Sequence, residues 1–587
     1  MTKPKITQVA ATVAAIARAE EIDKALGGTT ILTGSAADGL REAWGSADLI
    51  ISHIALGATT RLIAEYLENK KTDPGVVVVD EAGRFVIPLV GGHVGGANEL
   101  ARTIAEKIGA TAVVTTATDA QDIPGLDTLG WNTTGDLAGV TRAMLDGESV
   151  ELVRAEPWPM PALPNNVWEP GVERVERRGT HVKVLPPAPP AVARILVSDA
   201  ANPAADDLPT VMVHPKSLVV GMGCNRDTPV ESLRSLLTDT FAANNLSLSS
   251  IKLLTSVDAK ADEQGLIELA GELGVEFRTI DAKTLAAIEA PNPSQHAADA
   301  VGTPSVSEAS VLAAGAKLIV EKTKTPEATI AVGRIAPVGH LAIVGLGPGA
   351  EDLLTPRAAN VLRTSQVVIG YRPYVAQIRH LLRPGTEIVA SGMGSEEERS
   401  LLGIKKAREG RNVAIVCSGD PAIYAMASPT YELGTEGIEV EVVPGVTAEL
   451  AASSILGAPL GHDHATISLS DLHTSWEDIE RRLQAVAEGD LVVALYNPRS
   501  RKRVMHLPRA LEIIGAHRPP TCPVAVVQDA TRPGQNFRIS TIADFDVDWV
   551  DMHSIVLIGS SSTRMIATGT DDEVMVTPRD YTWLENK

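Results

Sequence analysis

Short apolar runs alternate with segments of helical spacing over the first 131 residues. The segment TTRLIAEYLENK (59–70) has the spacing of an amphipathic helix. Apolar runs that predict strands lie at 6–13, 49–56, 76–80, 85–90 and 112–118. Such alternation is typical of parallel β-strands joined by helices, so residues 1–131 are predicted to form an α/β domain.

The rest of the chain divides into three further predicted units, and roughly four domains are expected for a chain of 587 residues. Residues 132–215 contain a helical stretch, a Pro-rich region and short strand-like runs. They form either a small central module, which we favour, or a linker. Residues 216–336 and 340–587 again combine apolar strands, glycine-rich turns and helices. The predicted fold class is therefore α/β and multidomain.

Two local patterns refine the third unit. Thr228-Pro229-Val230-Glu231 has the order of a capping box with proline at the first helical position, and it predicts the start of a helix. Residues 288–305 (IEAPNPSQHAADAVGTPS) are predicted to form an irregular surface loop.

Composition and charge narrow the classes of function. Hydrophobic residues make up 44% of the chain and charged residues 21%, as in an ordinary soluble protein. The formal net charge of -21 argues against a nucleic-acid partner, because phosphate binding needs a basic surface. Three cysteines without a CxxC pair indicate a reducing compartment, so a cytoplasmic location is expected. No apolar run reaches membrane-spanning length, and no membrane partner is expected.

A glycine-rich turn opens the last unit. In GLGPGA, Gly345, Gly347 and Ala350 occupy the three small positions of a dinucleotide-binding fingerprint. Pro348 has no N–H to offer a pyrophosphate, and the next strand ends at Tyr371 where an acidic residue would hold a ribose. These two features argue against a nicotinamide cofactor. A tight strand-to-helix turn without a ligand is the alternative.

Four sequence blocks in order extend this pattern. They are LAIVGLGPGAEDLLTP near Leu341, CSGDPAIY near Cys417, VVPGVTAELAASSILGAPLGHDHATISLSD from Val442 to Asp471, and ALYNPRS near Ala494. Together they resemble the tetrapyrrole methyltransferases, and HDHATISLSD and YNPRS are similar to the precorrin-3B carbon-17 methyltransferase branch. The resemblance implies two α/β subdomains with S-adenosylmethionine folded in the cleft between them, and a homodimer formed through this unit.

The resemblance also implies which residues contact the methyl donor. Main chain and small residues at strand ends hold it, and Asp420 has the alternative role of forming the turn before Pro421. The implied contacts are Gly347, Pro348, Gly419, Asp420, Ile423, Tyr424, Thr447, Ala448, Tyr496 and Asn497.

Methyl transfer itself requires alignment and exclusion of water, so no catalytic triad is expected. In this branch methylation can accompany ring contraction and δ-lactone formation, for which His462 and Asp463 are candidate bases; a solvated loop is the alternative. Arg499 and Arg501 are candidate contacts for the carboxylates of the macrocycle, unless they belong to an exposed basic helix start.

A second distinctive stretch is PLVGGHVGGANELARTIAEKIGATAVVTTATD, from Pro88 to Asp119. Four glycines surround His93 between a strand and a helix, and Gly109 is the predicted helix stop. Leu100, Ile104 and Ile108 form one apolar face of that helix. Such a turn can present N–H groups to an anion. It is not a Walker loop, because no Gly-Lys-Ser/Thr follows.

This stretch, VGMGCNRDTP with SVDAKADEQGLIELA, and VGTPSVSEASVLAAGAKLIVEK resemble the cobalt-precorrin-5A hydrolase family over residues 1–335. The resemblance implies opening of a δ-lactone with release of acetaldehyde, which needs an activated water and a stabilised oxyanion. The implied roles fall on His93, Glu99 and Asp119 for the water, and on Gly92, Gly95 and Asn98 for the substrate. The alternatives are a structural place in the loop for His93, a favourable charge at the helix N-terminus for Glu99, and the cap of a turn for Asp119. The thirteen histidines show no metal-ligand spacing, so any cobalt would belong to the substrate.

The leading hypothesis is a fusion of two corrin-pathway enzymes. The C-terminal part would methylate carbon 17 of precorrin-3B or its cobalt form, and the N-terminal part would open the lactone. In a second hypothesis, residues 1–335 are a non-catalytic tetrapyrrole-binding module. A third, an RNA or protein methyltransferase, is disfavoured by the acidic chain and by HDHATISLSD.

Overall fold

A computed structural model describes residues 4–69, 72–92, 95–115, 123–154, 156–172, 175–178, 181–184, 186–203, 207–569 and 573–579. These residues form an α/β, multidomain structure with several separate sheets, which confirms the predicted fold class. The strands of each sheet come from one stretch of the chain. The predicted limits of the four units at 131, 215 and 336 stay a prediction.

The first sheet contains six strands and lies between layers of helices. Its elements are β1 (Ile6–Ala10), α1 (Val13–Leu26), β2 (Thr30–Thr33), α2 (Ala36–Trp44), β3 (Leu49–Ser52), α3 (Leu56–Ile63), β4 (Gly75–Val79), β5 (Phe85–Val90), α4 (Ala97–Ile108) and β6 (Thr111–Ala112). The strand order is β2-β1-β3-β4-β5-β6, and β5 runs antiparallel to β4. Leu49 and Ile51 pack on one face and Ile50 packs on the other, so both faces are covered.

Local signals in this unit gave most element positions correctly. The first strand is shorter than predicted because the Thr12 side chain accepts a hydrogen bond from Ala15 N (3.1 Å) and starts α1 at Val13. The predicted helix at 59–70 begins earlier, at Leu56. The stop of α4 at Gly109, which has a φ of 68°, is confirmed. Residues 116–118 of the predicted strand at 112–118 lie outside the described residues.

The central part of the chain forms its own sheet. Its elements are β7 (Asn132–Gly135), α5 (Leu137–Leu145), β8 (Val150–Arg154), β9 (Val167–Trp168), β10 (Val175–Arg178), β11 (His181–Val184), β12 (Ala193–Val197) and β13 (Thr210–His214). The order is β7-β13-β12-β8-β9, and β10 and β11 form a separate hairpin.

The third stretch forms a five-stranded sheet in the order β16-β15-β14-β18-β17. Its elements are β14 (Leu218–Cys224), α6 (Val230–Ala243), β15 (Ile251–Val257), α7 (Gln264–Leu273), β16 (Glu276–Ile280), α8 (Ala282–Ala286), α9 (Gln295–Val301), α10 (Ser307–Ala313), β17 (Lys317–Lys324) and β18 (Ala328–Arg334).

Two predictions about this stretch had different outcomes. The helix predicted to start at 228–231 does start there, at Val230, but without the predicted capping box, and the predicted loop was wrong in part. Pro229 is the N-cap residue of α6 without a side-chain cap, because the Thr228 hydroxyl donates to the carbonyl of Asn225 (3.0 Å) instead. Residues 295–301, predicted within an irregular loop, form the helix α9.

A buried carboxylate fixes the segment before α10. Glu308 has no exposed surface, and it accepts hydrogen bonds from Asn292 N (3.0 Å), Asn292 Nδ2 (2.8 Å) and Lys322 N (3.0 Å). Burial alone would raise the pKa of this carboxyl, but the hydrogen bonds from Asn292 and Lys322 outweigh it, so the net pKa is lowered. The ionised carboxylate therefore ties residues 292 and 322 together.

The last stretch begins with a parallel sheet in the order β21-β20-β22-β19-β23. Its elements are β19 (His340–Gly345), α11 (Pro356–Thr364), β20 (Val367–Tyr371), α12 (Arg372–Gln377), β21 (Glu387–Ser391), α13 (Glu396–Arg408), β22 (Asn412–Cys417), α14 (Ala427–Glu432) and β23 (Glu439–Val443). Leu341 and Ile343 pack on one face and Ala342 and Val344 on the other, so this sheet is also covered on both sides.

A mixed five-stranded sheet follows, in the order β25-β26-β29-β27-β28, with a small sheet β24-β31-β30 beside it. The elements are α15 (Ala448–Leu456), β24 (Gly457–Ala458), β25 (His464–Ser468), α16 (Trp476–Glu488), β26 (Val492–Tyr496), α17 (His506–Gly515), β27 (Pro523–Gln528), β28 (Asn536–Thr541), β29 (Ser554–Ile558), β30 (Arg564–Ala567) and β31 (Glu573–Val576). Because β26 and β27 are both antiparallel to β29, the carboxyl ends of β25, β26 and β27 share one edge.

Replacing Glu308 with Gln should loosen the segment that it fixes. The free energy of local opening of residues 288–305 should fall by about 1–3 kcal/mol, because buried N–H donors lose a charged acceptor. Hydrogen–deuterium exchange of that segment measures the change. Glu321→Gln is the control, because Glu321 is exposed and accepts only one hydrogen bond from Asn292 (3.1 Å).

The same variant has a predicted pH dependence. Since the folded-state pKa of Glu308 is lowered, its stabilisation is present above the unfolded pKa, roughly 4.3, and is lost as the pH falls through the folded-state pKa. The difference between wild type and Glu308→Gln should therefore shrink on acidification. A difference that grows at low pH would contradict the assigned charge state.

Candidate functional site

Three loops meet at the carboxyl edge of the parallel sheet, after β19, β22 and β23. Gly347 and Gly419 exchange two backbone hydrogen bonds, of 3.2 and 2.7 Å between N and O. A Cβ on Gly345 would lie 2.5 Å from the carbonyl oxygen of Gly419, and a Cβ on Gly445 only 2.2 Å from it. Glycine is therefore required because main chain packs directly on main chain.

The carboxylate of Asp420 joins two of these loops. Its Oδ1 accepts the N–H of Ala422 (2.8 Å) and its Oδ2 accepts the N–H of Gly445 (3.1 Å). The first bond forms the turn before Ala422, and the second holds the loop after β23 in place. Asp420 thus has the turn-forming role that was the alternative in the sequence.

A cluster of hydroxyl groups and one carboxylate lies beside the loops. The hydroxyl of Tyr496 is 2.5 Å from Thr447 Oγ1 and accepts the N–H of Glu449 (3.0 Å). The Tyr424 hydroxyl donates to the carbonyl of Thr466 (2.9 Å), and Thr466 Oγ1 donates to the carboxylate of Glu449. These bonds connect α15 and the loop after β22, which belong with the parallel sheet of the last stretch, to β25 and β26 of the mixed sheet.

Burial determines the charge state of the two tyrosines. It raises the pKa of Tyr496 to about 12, with hydrogen bonds from Thr447 and Glu449 N acting against it and the carboxylate of Glu449 adding to it. Partial burial also raises the pKa of Tyr424, although much of its side chain is exposed. Both phenols are therefore neutral near pH 7 and act as hydrogen-bonding groups, because a base in this range needs a pKa close to the working pH.

Left-handed backbone occurs at this edge in the loops after β22, β26 and β27. Tyr424 has a φ of 50° and Asn497 a φ of 49°, a region that non-glycine residues rarely enter. The side chain of Asn497 donates to Ser468 Oγ (3.0 Å), which connects the loops after β25 and β26. Such conformations cluster at ligand-binding sites because the surrounding structure must hold them.

Arg532, which the sequence analysis missed, ties the two sheets together. Its Nε donates to the carbonyl of Pro348 (2.6 Å) and its Nη2 to Ser418 Oγ (2.7 Å). A Cβ on Gly349 would lie 2.3 Å from Arg532 Cγ, so this glycine lets the arginine pass. The loop after β27 therefore rests on the glycine-rich turn after β19. Glu449 was missed as well, since a single acidic residue in a first helical turn carries no signal for a site.

Exposed apolar side chains surround this edge. Each follows the carboxyl end of a strand, so together they border the space between the two sheets. They are Met393, Ile423, Tyr424, Leu472, Val504 and Met505, and the exposed Arg501 and Lys502 lie in the same loop as the last two. The border thus combines apolar surface with positive charge.

Other predicted residues are not brought to this cluster. His462 and Asp463 are exposed and precede β25, whereas Ser468 is the last residue of β25 and Asn497 follows the end of β26. The N–H of Asp463 donates to His462 Nδ1 (2.7 Å), which forms a local turn. Arg499 donates to the carbonyl of Val547 (2.8 Å) and to Asp548 (3.0 Å), so it holds a neighbouring turn.

A second candidate site lies in the first sheet, at the end of β5. A cavity of about 460 Å³ is lined by Leu67, Glu68, Asn69, Asp73, Pro88, Leu89, Val90, Gly91, Gly92, Asn98 and Thr115. Asn98 is only 3% exposed, and its N–H donates to the carbonyl of Gly92 (2.9 Å). The N–H of Ala97 donates to Gly91 in the same way (3.1 Å), so the start of α4 closes on the glycine turn.

Four predicted residues of this site have different outcomes. Gly95 packs against Gly75, where a Cβ would lie 2.2 Å from the carbonyl oxygen of Gly95. Glu99 is exposed on the first turn of α4 and does not line the cavity. His93 and Asp119 lie outside the described residues.

The described residues contain neither a metal-binding cluster nor a membrane-spanning helix. No group of three or more His, Cys, Asp or Glu side chains in the described ranges could hold a metal ion. No helix in the part of the chain that the structure describes is long and apolar enough to cross a bilayer.

Removing the hydroxyl of Tyr496 should abolish the ionisation at the highest pH. In an ultraviolet titration of the tyrosines, Tyr496→Phe should lack the step near pH 12, and the cluster should lose about 0.5–1.5 kcal/mol of stability. Since the folded-state pKa is raised, that stabilisation is complete below the unfolded pKa near 10 and is lost as the pH rises through 12. Tyr431→Phe, at an exposed position, is the control and should keep the step. Persistence of the step in Tyr496→Phe would show that another phenol gives rise to it.

Comparison with known protein families shows that the two parts of the chain are related to different families. Residues 340–546 match the model of the Tetrapyrrole (Corrin/Porphyrin) Methylases. Residues 38–119 match the model described as Cobalamin synthesis G N-terminal, and residues 218–333 match the Cobalamin synthesis G C-terminus.

Individual relatives align with the last part of the chain. It is 41% identical over 248 residues to the Probable cobalt-factor III C(17)-methyltransferase of Salmonella typhimurium, covering 41% of this chain and 99% of the relative. It is 37% identical over 249 residues to the Precorrin-3B C(17)-methyltransferase of a Sinorhizobium species, covering 41% of this chain and 97% of that protein. The crystal structure of the methyltransferase CobJ is 36% identical, with a TM-score of 0.38, covering 41% of this chain and all of that one. The chain belongs to the tetrapyrrole (corrin/porphyrin) methylase family, as a fusion in which cobalamin synthesis G sequences precede the methylase.

Proposed function

We propose that the C-terminal part of this cobalamin-pathway methyltransferase transfers a methyl group to carbon 17 of precorrin-3B or of its cobalt form. One observation carries the proposal: the loops after β19, β22 and β23 converge on the cluster of Tyr424, Thr447 and Tyr496. The relatives named for carbon-17 methylation cover the same part of the chain. The proposal includes contraction of the macrocycle as a reaction that can accompany this methylation.

S-adenosylmethionine is the methyl donor in this family, and the residues at the carboxyl edge fit it. The glycine-rich loops expose main-chain groups where a Cβ would fill the space, and ligands of open α/β sheets bind at such an edge. When bound, the donor supplies an activated methyl group on a sulfonium. Main chain at Gly347, Pro348 and Gly419 would hold it, with Thr447 and Ala448 at the start of α15.

The chain's own residues would then orient and protect the reactants. Neutral Tyr496 holds the start of α15 against β26, neutral Tyr424 holds the loop after β22 against β25, and Arg532 holds the loop at Pro348. A fixed geometry converts binding into alignment, which is most of what methyl transfer requires. The apolar side chain of Ile423 at the border would exclude water.

The border of the cleft also supports the proposed substrate. A tetrapyrrole has a flat apolar ring with carboxylates at its periphery. Leu472, Val504 and Met505 offer apolar surface, and Arg501 and Lys502 offer positive charge beside it. A homodimer through this part of the chain stays a proposal.

The proposal is tested by methyl transfer and by binding of the demethylated donor. Wild-type protein with S-adenosylmethionine and precorrin-3B, or cobalt-factor III, should give a product heavier by one methyl group in mass spectrometry. Gly445→Ala should weaken calorimetric binding of S-adenosylhomocysteine by about tenfold or more, because its Cβ would push the Gly419 carbonyl and shift two loops.

Gly437→Ala is the control, because Gly437 lies in the turn just before β23 and has open space around it. It should bind as wild type does. Absence of a methylated product with either substrate would refute the assignment to carbon-17 methylation, and equal binding by wild type and Gly445→Ala would refute the loops as the donor site.

For the N-terminal part we propose hydrolysis of the δ-lactone of cobalt-precorrin-5A with release of acetaldehyde. Asn98 and Gly92 border the cavity at the end of β5, where the start of α4 can stabilise an anion. His93, Glu99 and Asp119 remain the candidates for activating water. The match of residues 38–119 and 218–333 to cobalamin synthesis G models is consistent with this proposal.

Release of acetaldehyde from the cobalt lactone should depend on the cavity. Asn98→Ala and His93→Ala should each lose most of the turnover measured by an aldehyde-specific assay. Glu327→Ala, at an exposed position in the turn between β17 and β18, should keep it. If wild type binds the lactone without releasing acetaldehyde, residues 1–335 act as a binding module. If both variants retain full turnover, the cavity is not the site of hydrolysis.

A further inference from the structure

The Pro-rich stretch belongs to the core of the central unit. We call residues 157–164 (PWPMPALP) the docking segment. Met160 is 2% exposed and packs with Ile195 and Val213 of the central sheet, and Trp158 packs edge-on against Trp131 with ring centroids 6.2 Å apart. The side chains of the docking segment therefore anchor it to the N-terminal half of the chain.

The backbone of the same segment contacts the methylase. A Cβ on Gly410 would lie 1.9 Å from the carbonyl oxygen of Pro157. A Cβ on Gly385 would lie 1.8 Å from the carbonyl oxygen of Leu163. Gly410 and Gly385 have φ angles of 76° and 87°, so each turn presents a bare Cα to a proline-rich main chain. The N–H of Met160 is 3.5 Å from Gln366 Oε1.

These contacts share one side of the methylase. Gln366, Gly385 and Gly410 immediately precede β20, β21 and β22, so they lie at the amino edge of the parallel sheet. The loops that converge at Gly419 lie at the carboxyl edge. Since β20 has five residues and β22 has six, about 16–20 Å of strand separates the two edges.

Gln366 connects the docking segment to the sheet itself. Its Oε1 also accepts the N–H of Asn412, at the start of β22 (3.0 Å), and Asn412 Nδ2 donates to the carbonyl of Thr364 (2.9 Å). The docking segment thus rests on turns that are fixed by the sheet, and not on mobile loop tips. Since units joined by a linker are otherwise free to move relative to one another, a contact between fixed turns and an anchored segment restricts that motion.

We propose that the docking segment fixes the two halves back to back, with the methyl-transfer cleft opening away from the N-terminal half. A methylated tetrapyrrole then leaves the cleft into solvent instead of passing directly to the other half. The orientation leaves the apolar and basic border of the cleft free for a large substrate. The part that concerns the methylated product rests on the proposed function.

Alanine at the two glycines tests the docking itself. Gly385→Ala/Gly410→Ala should separate the halves, because both Cβ atoms would meet carbonyl oxygens of the docking segment. We expect a larger radius of gyration in small-angle X-ray scattering and loss of hydrogen-exchange protection in residues 157–164. Gly437→Ala is the control, since its φ of 79° imposes the same backbone strain with nothing within 4 Å of the new Cβ.

The single variants keep this test decisive if the double variant does not fold. Gly385→Ala and Gly410→Ala should each lose protection in the docking segment, while circular dichroism remains that of wild type. Scattering and exchange equal to those of Gly437→Ala, in the double variant or in both single variants, would overturn the docking proposal.

Ultrafiltration during multiple turnovers tests the release of product. Wild type and Gly385→Ala/Gly410→Ala should place methylated tetrapyrrole in the filtrate at the same rate and in excess over enzyme. Product that stays with wild type and reaches the filtrate only with the double variant would overturn release into solvent. Absence of methylated product in both would instead refute the proposed methyl transfer.

Discussion

Direct packing of main chain on main chain is the constraint on which the C-terminal site depends. The carbonyl oxygen of Gly419 occupies the space next to both Gly345 and Gly445, and the backbone of Gly347 pairs with that of Gly419. No side chain fits between these loops, so peptide groups form the floor of the cleft. Asp420 holds the loop at Gly445 and Arg532 holds the loop at Pro348. The polar cluster around Tyr496 is positioned by the same packing.

The same device recurs where a glycine meets a neighbouring segment. Gly75 packs on Gly95 beside the N-terminal cavity, and Gly385 and Gly410 pack on the docking segment. Each contact brings two stretches of main chain closer than a Cβ would permit. In a chain with 3% aromatic residues, such contacts place loops without large side chains to act as wedges. Both candidate sites and the junction between the halves therefore depend on backbone geometry.

Features with a local cause could be predicted from the sequence. The stop of α4 at Gly109 and the strand at 85–90 follow from signals within a few residues. The capping box predicted at Thr228 does not form, because the Thr228 hydroxyl donates to the carbonyl of Asn225. That partner is equally local, and the sequence pattern does not exclude it. The helix at 295–301 was missed. It lies between Asn292 and Glu308, and Glu308 accepts hydrogen bonds from Asn292 and Lys322, which no local pattern in the sequence indicates.

The candidate site was predictable only where glycine-rich loops follow strands. Arg532 lies 184 residues from Pro348 in the chain, so no local pattern could connect them. His462 and Asp463 are close to Ser468 in sequence, but they lie at the opposite end of β25 from it.

The most direct test of the site is hydrogen–deuterium exchange with and without S-adenosylhomocysteine. Protection of residues 345–350, 418–424 and 444–449, with none at 75–92, is the predicted result; unchanged exchange in those three loops at saturating ligand would contradict the account.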